Sequence, residues 1–461
     1  MFSVSIFEII SYFRLAISKN IWIYGWQIQN KIDHILLDWK NADRHKPLIL
    51  RGVRQCGKTS AVRNLSQQFA DYIELNLEKE PDIGKIFEGE LNINRIINRL
   101  ELHFSKRISS DTLLFIDEIQ ECPRAITALR YFYEDKPELH VIAAGSLLEF
   151  VLDGQKKDKP VDFPVGRVRS IFMYPFSFTE FLHGTGKEIL ADYLKHTDFS
   201  ETPNDAHKEL LEEYKTFLIV GGMPEAVREY AETGSIQACQ QIHRDIILNF
   251  KDDFNKYSRN VSPEIIRKVF DYATHHVCSQ TKSSSAVTGI SAYYFDLCID
   301  LLKKAGLVFP VKASACDAIP LGVSEKEANK KLLLFDTGVY LTECGLDVCG
   351  ILDAEIYDDM NKGDVVEMET GLEFIKNGSP YSEPELFYWY RSGANAEIDY
   401  AIVRSGQIIP VEVKSSGKGS MQSLHVFLDT HKSPYGIRIS MEDFIEYENI
   451  HVFPVYAVSR I

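Results

Sequence analysis

Two rhythms of apolar positions alternate along the first third of this chain. Ile32, Ile35, Leu36 and Trp39 recur at helical spacing and predict a helix over 31–39. Pro47-Leu48-Ile49-Leu50 is a short apolar run, and a helical pattern follows over 60–69. Tyr72-Ile73-Glu74-Leu75-Asn76-Leu77 alternates, the period of a half-buried strand. Helical spacing returns over 93–104 and 125–133, and buried strands are expected over 112–116 and 140–146. Strands alternating with helices in this way predict a parallel, doubly wound sheet, hence an α/β fold.

Further on the pattern changes. Residues 153–164 are polar with two prolines and predict a loop. Ser177 and Glu180 have capping-box spacing at the head of a helix. The polar stretch 185–206, with Pro203 and Asn204, predicts a boundary. Helical patterns then cover 210–220, 236–254, 263–278 and 293–305, with a sharp turn at Gly221-Gly222-Met223-Pro224. A short strand, 307–311, follows the last of them, and helix, helix, β-wing is the pattern of a winged helix. A helix over 363–375 and strands over 386–391, 397–403 and 408–414 predict a second α/β unit. The expected division is an N-terminal extension over 1–30, a P-loop domain over 31–185, a winged-helix-like region over 186–325 and a C-terminal α/β domain over 326–461.

Composition narrows the function classes. The chain has 461 residues, 45% hydrophobic and 25% charged, which suits packed domains and excludes disorder as the main state. A net charge of −15 excludes nonspecific nucleic-acid binding by bulk charge, so any DNA contact must be a local patch. The eight cysteines form no C-x-x-C pair, which points to reduced thiols and a cytoplasmic protein, not to a disulfide frame or a zinc site. Residues 1–18 are apolar but interrupted by Glu8 and Arg14. They read as an appended amphipathic helix or as a start placed too far upstream, and no stable membrane insertion is expected.

The first apolar run leads into Gly52-Val53-Arg54-Gln55-Cys56-Gly57-Lys58-Thr59, which reads G-x-x-x-x-G-K-T between a strand and a helix. A phosphate-binding loop requires that context. Gly52 and Gly57 let the backbone wrap around phosphates, whose charge the loop and helix N–H groups face. Lys58 is expected to reach the β- and γ-phosphates and the Thr59 hydroxyl to coordinate Mg²⁺, so ATP and Mg²⁺ are the expected ligands. The run 112–116 ends in Asp117-Glu118, the Walker B pattern. Asp117 is expected to hold the Mg²⁺ shell and Glu118 to polarise the attacking water. Ser146, at the tip of the strand over 140–146, reads as a γ-phosphate sensor, as the N-cap of a helix over 147–152, or as both.

The segments RGVRQCGKT (51–59), LLFIDEIQ (113–120), AAGSLLEF (143–150), PVGRV (164–168), YPFSFTEFL (174–182) and FLIVGGMPEAV (217–227) together resemble the prokaryotic AAA-type ATPases that carry a conserved C-terminal domain of unknown function. The resemblance spans residues 30–455. It implies a P-loop ATPase core, a helical or winged-helix middle and a C-terminal domain related to restriction-type nucleases. Arg167 matches the Gly-Arg motif of that family, which implies a role at the γ-phosphate; a surface salt bridge is the other reading.

Asp399 followed by Glu412-Val413-Lys414 on the next strand is the pattern of restriction-endonuclease-like nucleases. Glu412 and Lys414 are two apart and share a strand face. Asp399 and Glu412 would hold Mg²⁺, Glu367 on the preceding helix would complete the shell, and Lys414 would orient the nucleophile or stabilise the pentavalent phosphate. An exposed hairpin face with a Glu–Lys pair is the plainer reading. Residues 404–438 hold five basic and two acidic side chains, a local patch suited to a nucleic-acid backbone. Three functions stay open: an ATP-regulated, metal-dependent nuclease; an ATP-driven switch whose C-terminal domain binds DNA, a protein partner or a second copy without cleaving; and a structural or membrane-associated scaffold that uses the N-terminal apolar segment.

Overall fold

The computed structural model describes residues 31–146, 148, 162–196, 204–257, 261–345, 362–391, 396–415 and 421–461. The N-terminal extension, most of the loop over 153–164, most of the possible helix over 147–152 and Cys349 lie outside them. No helix among the described residues is long and apolar enough to cross a membrane.

The first unit runs α1 (Lys31–Asn41), β1 (Leu48–Gly52), α2 (Lys58–Ser66), β2 (Asp71–Asn76), α3 (Ile93–Phe104), β3 (Thr112–Asp117), α4 (Pro123–Asp135), β4 (His140–Ala144) and β5 (Arg169–Met173). The five strands form one sheet in the order β2-β3-β4-β1-β5, and every pairing is parallel. Apolar runs become strands here because both sheet faces are covered by helices. Leu48 and Leu50 point into the core that α1 and α2 close, while Ile49 between them points into the core under α3 and α4. Trp39 anchors α1 by donating its indole N–H to the carbonyl of Lys46 at 2.8 Å. The strand order puts the carboxyl ends of β1, β3 and β4 side by side, the edge where open parallel sheets bind ligands.

A helical region follows: α5 (Phe178–Gly184), α6 (Glu188–His196), α7 (Asn204–Val220), α8 (Pro224–Thr233), α9 (Ile236–Tyr257), α10 (Pro263–His275) and α11 (Ala292–Lys304). The capping box expected at Ser177 and Glu180 forms at the head of α5.

Between α10 and α11 lies the short strand β6 (Thr281–Lys282), and after α11 come β7 (Val308–Ser314) and β8 (Glu325–Leu334). These strands are not the wing of a separate winged helix. They join α12 (Thr337–Glu343), α13 (Lys362–Asn377), β9 (Leu386–Tyr390), β10 (Glu397–Arg404), β11 (Gln407–Val413), α14 (Gln422–His431), β12 (Gly436–Ser440), β13 (Ile445–Tyr447) and β14 (Ile450–Pro454) in one larger unit. Its mixed sheet has the order β13-β14-β12-β11-β10-β9-β7-β8-β6. The physical reason is burial. Val308, Val311 and Ala313 on β7, and Leu332, Leu333 and Leu334 on β8, are all buried, whereas a wing would leave one face wet. Val308 to Lys312 of β7 pair with Leu334 to Lys330 of β8, so the expected division at 325/326 falls just inside β8 and parts it from its hairpin partner.

The two units are fastened together by hydrogen bonds from backbone N–H groups, outside the sheets' own pairings. The Phe178 N–H at the start of α5 donates to Glu373 Oε1 on α13 at 2.8 Å, and the Phe172 N–H of β5 donates to the Pro380 carbonyl at 2.8 Å.

Candidate nucleotide site and C-terminal carboxylate cluster

β1 can pass into the phosphate-binding loop only through glycine. Gly52 has φ +143°, and a Cβ there would lie 2.1 Å from the Met173 carbonyl oxygen of neighbouring β5. Gly57, at φ +96°, turns the chain into α2. Both values fall where only glycine is unstrained. Lys58 is buried, and its ammonium donates to the carbonyls of Gly52 and Val53, at 2.9 Å each. Thr59 Oγ1 donates to Asp117 Oδ2 at 3.1 Å, and Asn76 Nδ2 donates to the same oxygen at 3.3 Å. Burial raises the Asp117 pKa, and the adjoining Glu118 carboxylate adds to the rise. Glu118 turns off the strand in the left-handed region and accepts from Gln120 Nε2 at 2.6 Å.

Gly57, Lys58, Thr59, Asp117 and Glu118 line a cleft of about 600 Å³. Ser146, just past β4, lines it too, and it also borders a second cavity behind the loop. Two protein ligands, Thr59 and Asp117, suit Mg²⁺, which keeps waters and takes phosphate oxygens for the rest. Arg167 lies elsewhere. It precedes β5 at the end of the sheet opposite Gly52, where its Nε donates to Glu134 Oε1 at 2.8 Å. Within this chain it forms the surface salt bridge and does not line the cleft.

Several cleft groups come from far along the chain. Asp33 on α1 and Glu225 and Arg228 on α8 line it. Glu225 and Arg228 are three apart and share a helix face. The turn before α8 is held by Asp336, which is fully buried just beyond β8. Asp336 Oδ2 accepts the Gly222 N–H at 2.7 Å, and its Oδ1 accepts the Val339 N–H at 2.9 Å. A Cβ at Gly221 would lie 2.2 Å from Asp336 Oδ1, so the carboxylate sits where a side chain would. The signal for Arg228 was present in FLIVGGMPEAV, which ends one residue short of it. Two further contacts tie the helical region to the loop: Arg54 Nη1 donates to Asp253 Oδ2 on α9 at 2.7 Å, and Gly306, after α11, packs against Val53.

In the C-terminal unit the structure brings Glu367 and Asp399 together, but around a side chain the sequence reading did not single out. Lys331 on β8 is 2% exposed. Its ammonium lies 2.8 Å from Glu367 Oε1, 2.5 Å from Glu397 Oε1 and 3.3 Å from Asp399 Oδ1. Asp399 Oδ2 accepts the Val413 N–H at 2.8 Å. Glu412 is buried; its Oε1 pairs with Lys414 at 2.8 Å and its Oε2 accepts no hydrogen bond. The Mg²⁺ expected on Asp399 and Glu412, with Glu367 completing the shell, does not fit this arrangement. Both Asp399 oxygens are engaged, and a lysine stands among the carboxylates. Among the described residues no group of three or more His, Cys, Asp or Glu side chains is placed to hold a metal ion. Burial first, and then the Asp399 charge, push the Glu367 pKa up to about 8, while the three carboxylates outweigh burial and hold Lys331 charged.

Comparison with known proteins agrees with the first unit. Residues 44–182 match a family model described as an AAA domain. Residues 211–348 and 362–458 match two models described only as domains of unknown function, DUF8612 and DUF4143. The chain thus carries a P-loop ATPase domain of the AAA type. Among solved structures it is similar to the Walker-type ATPase PABY2304 of Pyrococcus abyssi, at 15% identity over 68% of this chain and 94% of that one, with a TM-score of 0.43. It is also similar to the Aeropyrum pernix ORC1 protein solved in complex with DNA, at 12% identity over 69% and 92%, with a TM-score of 0.28. No curated protein matches the chain.

Proposed function

We propose that this protein is an ATP-hydrolysing switch, in which the nucleotide state of the P-loop cleft is read out by a C-terminal domain that docks a partner without cutting it. The observation that carries the first half is the hydrogen bond from Thr59 to Asp117, which joins the phosphate loop to the Walker B strand at the mouth of the cleft. Thr59 and Asp117 would hold Mg²⁺, which supplies charge neutralisation at the phosphates when bound. Lys58 leaves its two carbonyl partners to meet the β- and γ-phosphates. Glu118 orients and polarises water, Ser146 senses the γ-phosphate from the tip of β4, and Arg228 closes on the nucleotide from α8. Glu118→Gln is expected to keep ATP bound while hydrolysis slows by about 10²-fold or more. Hydrolysis at the unchanged rate would remove Glu118 from this role.

Supporting the docking half is the occupation of the carboxylate cluster by Lys331. A metal-dependent nuclease coupled to ATP is the second reading, favoured by the convergence of Glu367 and Asp399 from separate elements. A plasmid-cleavage assay with Mg²⁺ or Mn²⁺, with and without ATP, separates them. Cleavage that Asp399→Asn abolishes would establish the nuclease.

A further inference from the structure

The C-terminal cluster has the ligand chemistry of a divalent-cation site. Glu367 comes from α13, while Glu397 and Asp399 lie two apart on β10 and so share a sheet face. Hard carboxylate oxygens brought together in this way repel one another unless a cation stands between them. Here the cation belongs to the chain. Lys331 reaches in from β8, two strands beyond β9, and an ammonium has three donors to match its three carboxylate partners. The Tyr388 ring, centred 5.3 Å from the ammonium, adds a π-face on another side. Glu412 Oε2, buried and accepting no hydrogen bond, is a further unmatched acceptor beside the cluster.

We propose that Lys331 is the resident cation of this site: its ammonium stands where a divalent metal would otherwise bind, and the cluster accepts such a metal only when the lysine is removed. A divalent ion entering the intact protein would have to displace an ammonium that is already buried and matched by three acceptors. This inference rests on the reading of the C-terminal domain as non-cleaving, and it names the residue responsible.

The test is Mn²⁺ binding to the nucleotide-free full-length chain, followed by electron paramagnetic resonance. The intact protein is expected to show no Mn²⁺ that Asp399→Asn removes. Lys331→Met is expected to gain one Mn²⁺ per chain and to lose it again when combined with Asp399→Asn. Removal of the lysine leaves carboxylates unpaired, so Lys331→Met is also expected to melt at a lower temperature and to recover part of the loss in Mn²⁺, whereas the intact protein does not respond. Lys331→Met combined with Glu397→Gln carries less excess charge and serves where the single variant does not fold. Mn²⁺ bound by the intact chain and lost in Asp399→Asn would overturn the proposal, as would a folded variant lacking Lys331 that gains no Mn²⁺. Plasmid cleavage with Mg²⁺ or Mn²⁺, measured on the same samples, keeps the outcome separate from failure of the non-cleaving reading, because cleavage that Asp399→Asn abolishes overturns that reading whichever variant binds Mn²⁺.

Discussion

The two sites of this chain hold a lysine in opposite ways. In the P-loop cleft, Lys58 rests on two backbone carbonyls and, among the described residues, has no carboxylate partner. A phosphate offers it a stronger, charge-assisted bond, so the lysine is poised to move. In the C-terminal unit, Lys331 is enclosed by three carboxylates and is nearly without solvent contact. No incoming neutral group can match that, so the lysine is fixed. One buried lysine is arranged for exchange and the other for permanence. The difference lies in the partners, because the two side chains are chemically identical.

Lys331→Ala should break the comparison most visibly. Leaving a buried cluster of carboxylates without its counter-ion costs about 3–5 kcal/mol, to be read from urea unfolding at neutral pH. Asp336→Ala comes next. It strands the Gly222 and Val339 N–H groups and should cost about 2–4 kcal/mol in the same assay. It should also raise the KM for ATP by loosening α8, and Asp336→Asn, which keeps one of the two acceptor oxygens, should recover part of the change. Lys58→Ala should leave the unfolding midpoint nearly unchanged while weakening ATP binding by about 10- to 100-fold, measured by fluorescent-nucleotide titration. Loss of stability at Lys331 and loss of affinity at Lys58 is the expected signature of a fixed and a poised lysine.

The pH dependence sharpens the contrast. Glu367 titrates near 8 in the folded chain, above its unfolded value, so the folded state binds the extra proton between those two values. Stability from this group is therefore present at low pH and lost as pH rises toward 8, with a slope of at most about 1.4 kcal/mol per pH unit. Glu367→Gln should flatten that slope; an unchanged slope would place the proton elsewhere. The smallest effect is expected at Arg167. Its pairing with Glu134 is exposed, so Arg167→Ala should leave both the unfolding midpoint and the ATP hydrolysis rate of an isolated chain within error.

The sequence was informative where one contiguous segment carries the chemistry. A phosphate is gripped by consecutive backbone groups, so Gly52 to Thr59 announces itself, and a strand buried on both faces announces itself by an unbroken apolar run such as 112–116. The misreading of the strand over 307–311 as a wing shows the limit. Leu332, Leu333 and Leu334 in a row suit a strand buried on both faces, but which sheet the hairpin enters depends on β7 pairing with β9, Val311 with Leu386, 75 positions away. Lys331 was illegible for a related reason. Its neighbour Lys330 is also a lysine and faces outward to Asp296, and only the strand register decides which of the two goes inside. Asp336 meets Gly222 across 114 residues, a separation that no local pattern records.

Strand β8 has a consequence for how the molecule keeps time. It carries Lys331 in its middle, and Asp336 follows five positions later, about 17 Å along an extended chain. The first residue fixes the carboxylate cluster; the second fixes the turn that launches α8 toward the nucleotide. In the proposed switch, a partner that favours one position of this strand would favour one state of the nucleotide cleft. Thermodynamic linkage would make the relation mutual: whatever factor ATP imposed on partner affinity, the partner would impose on ATP affinity. The strand would then serve as a shared axle between the proposed docking domain and the cleft.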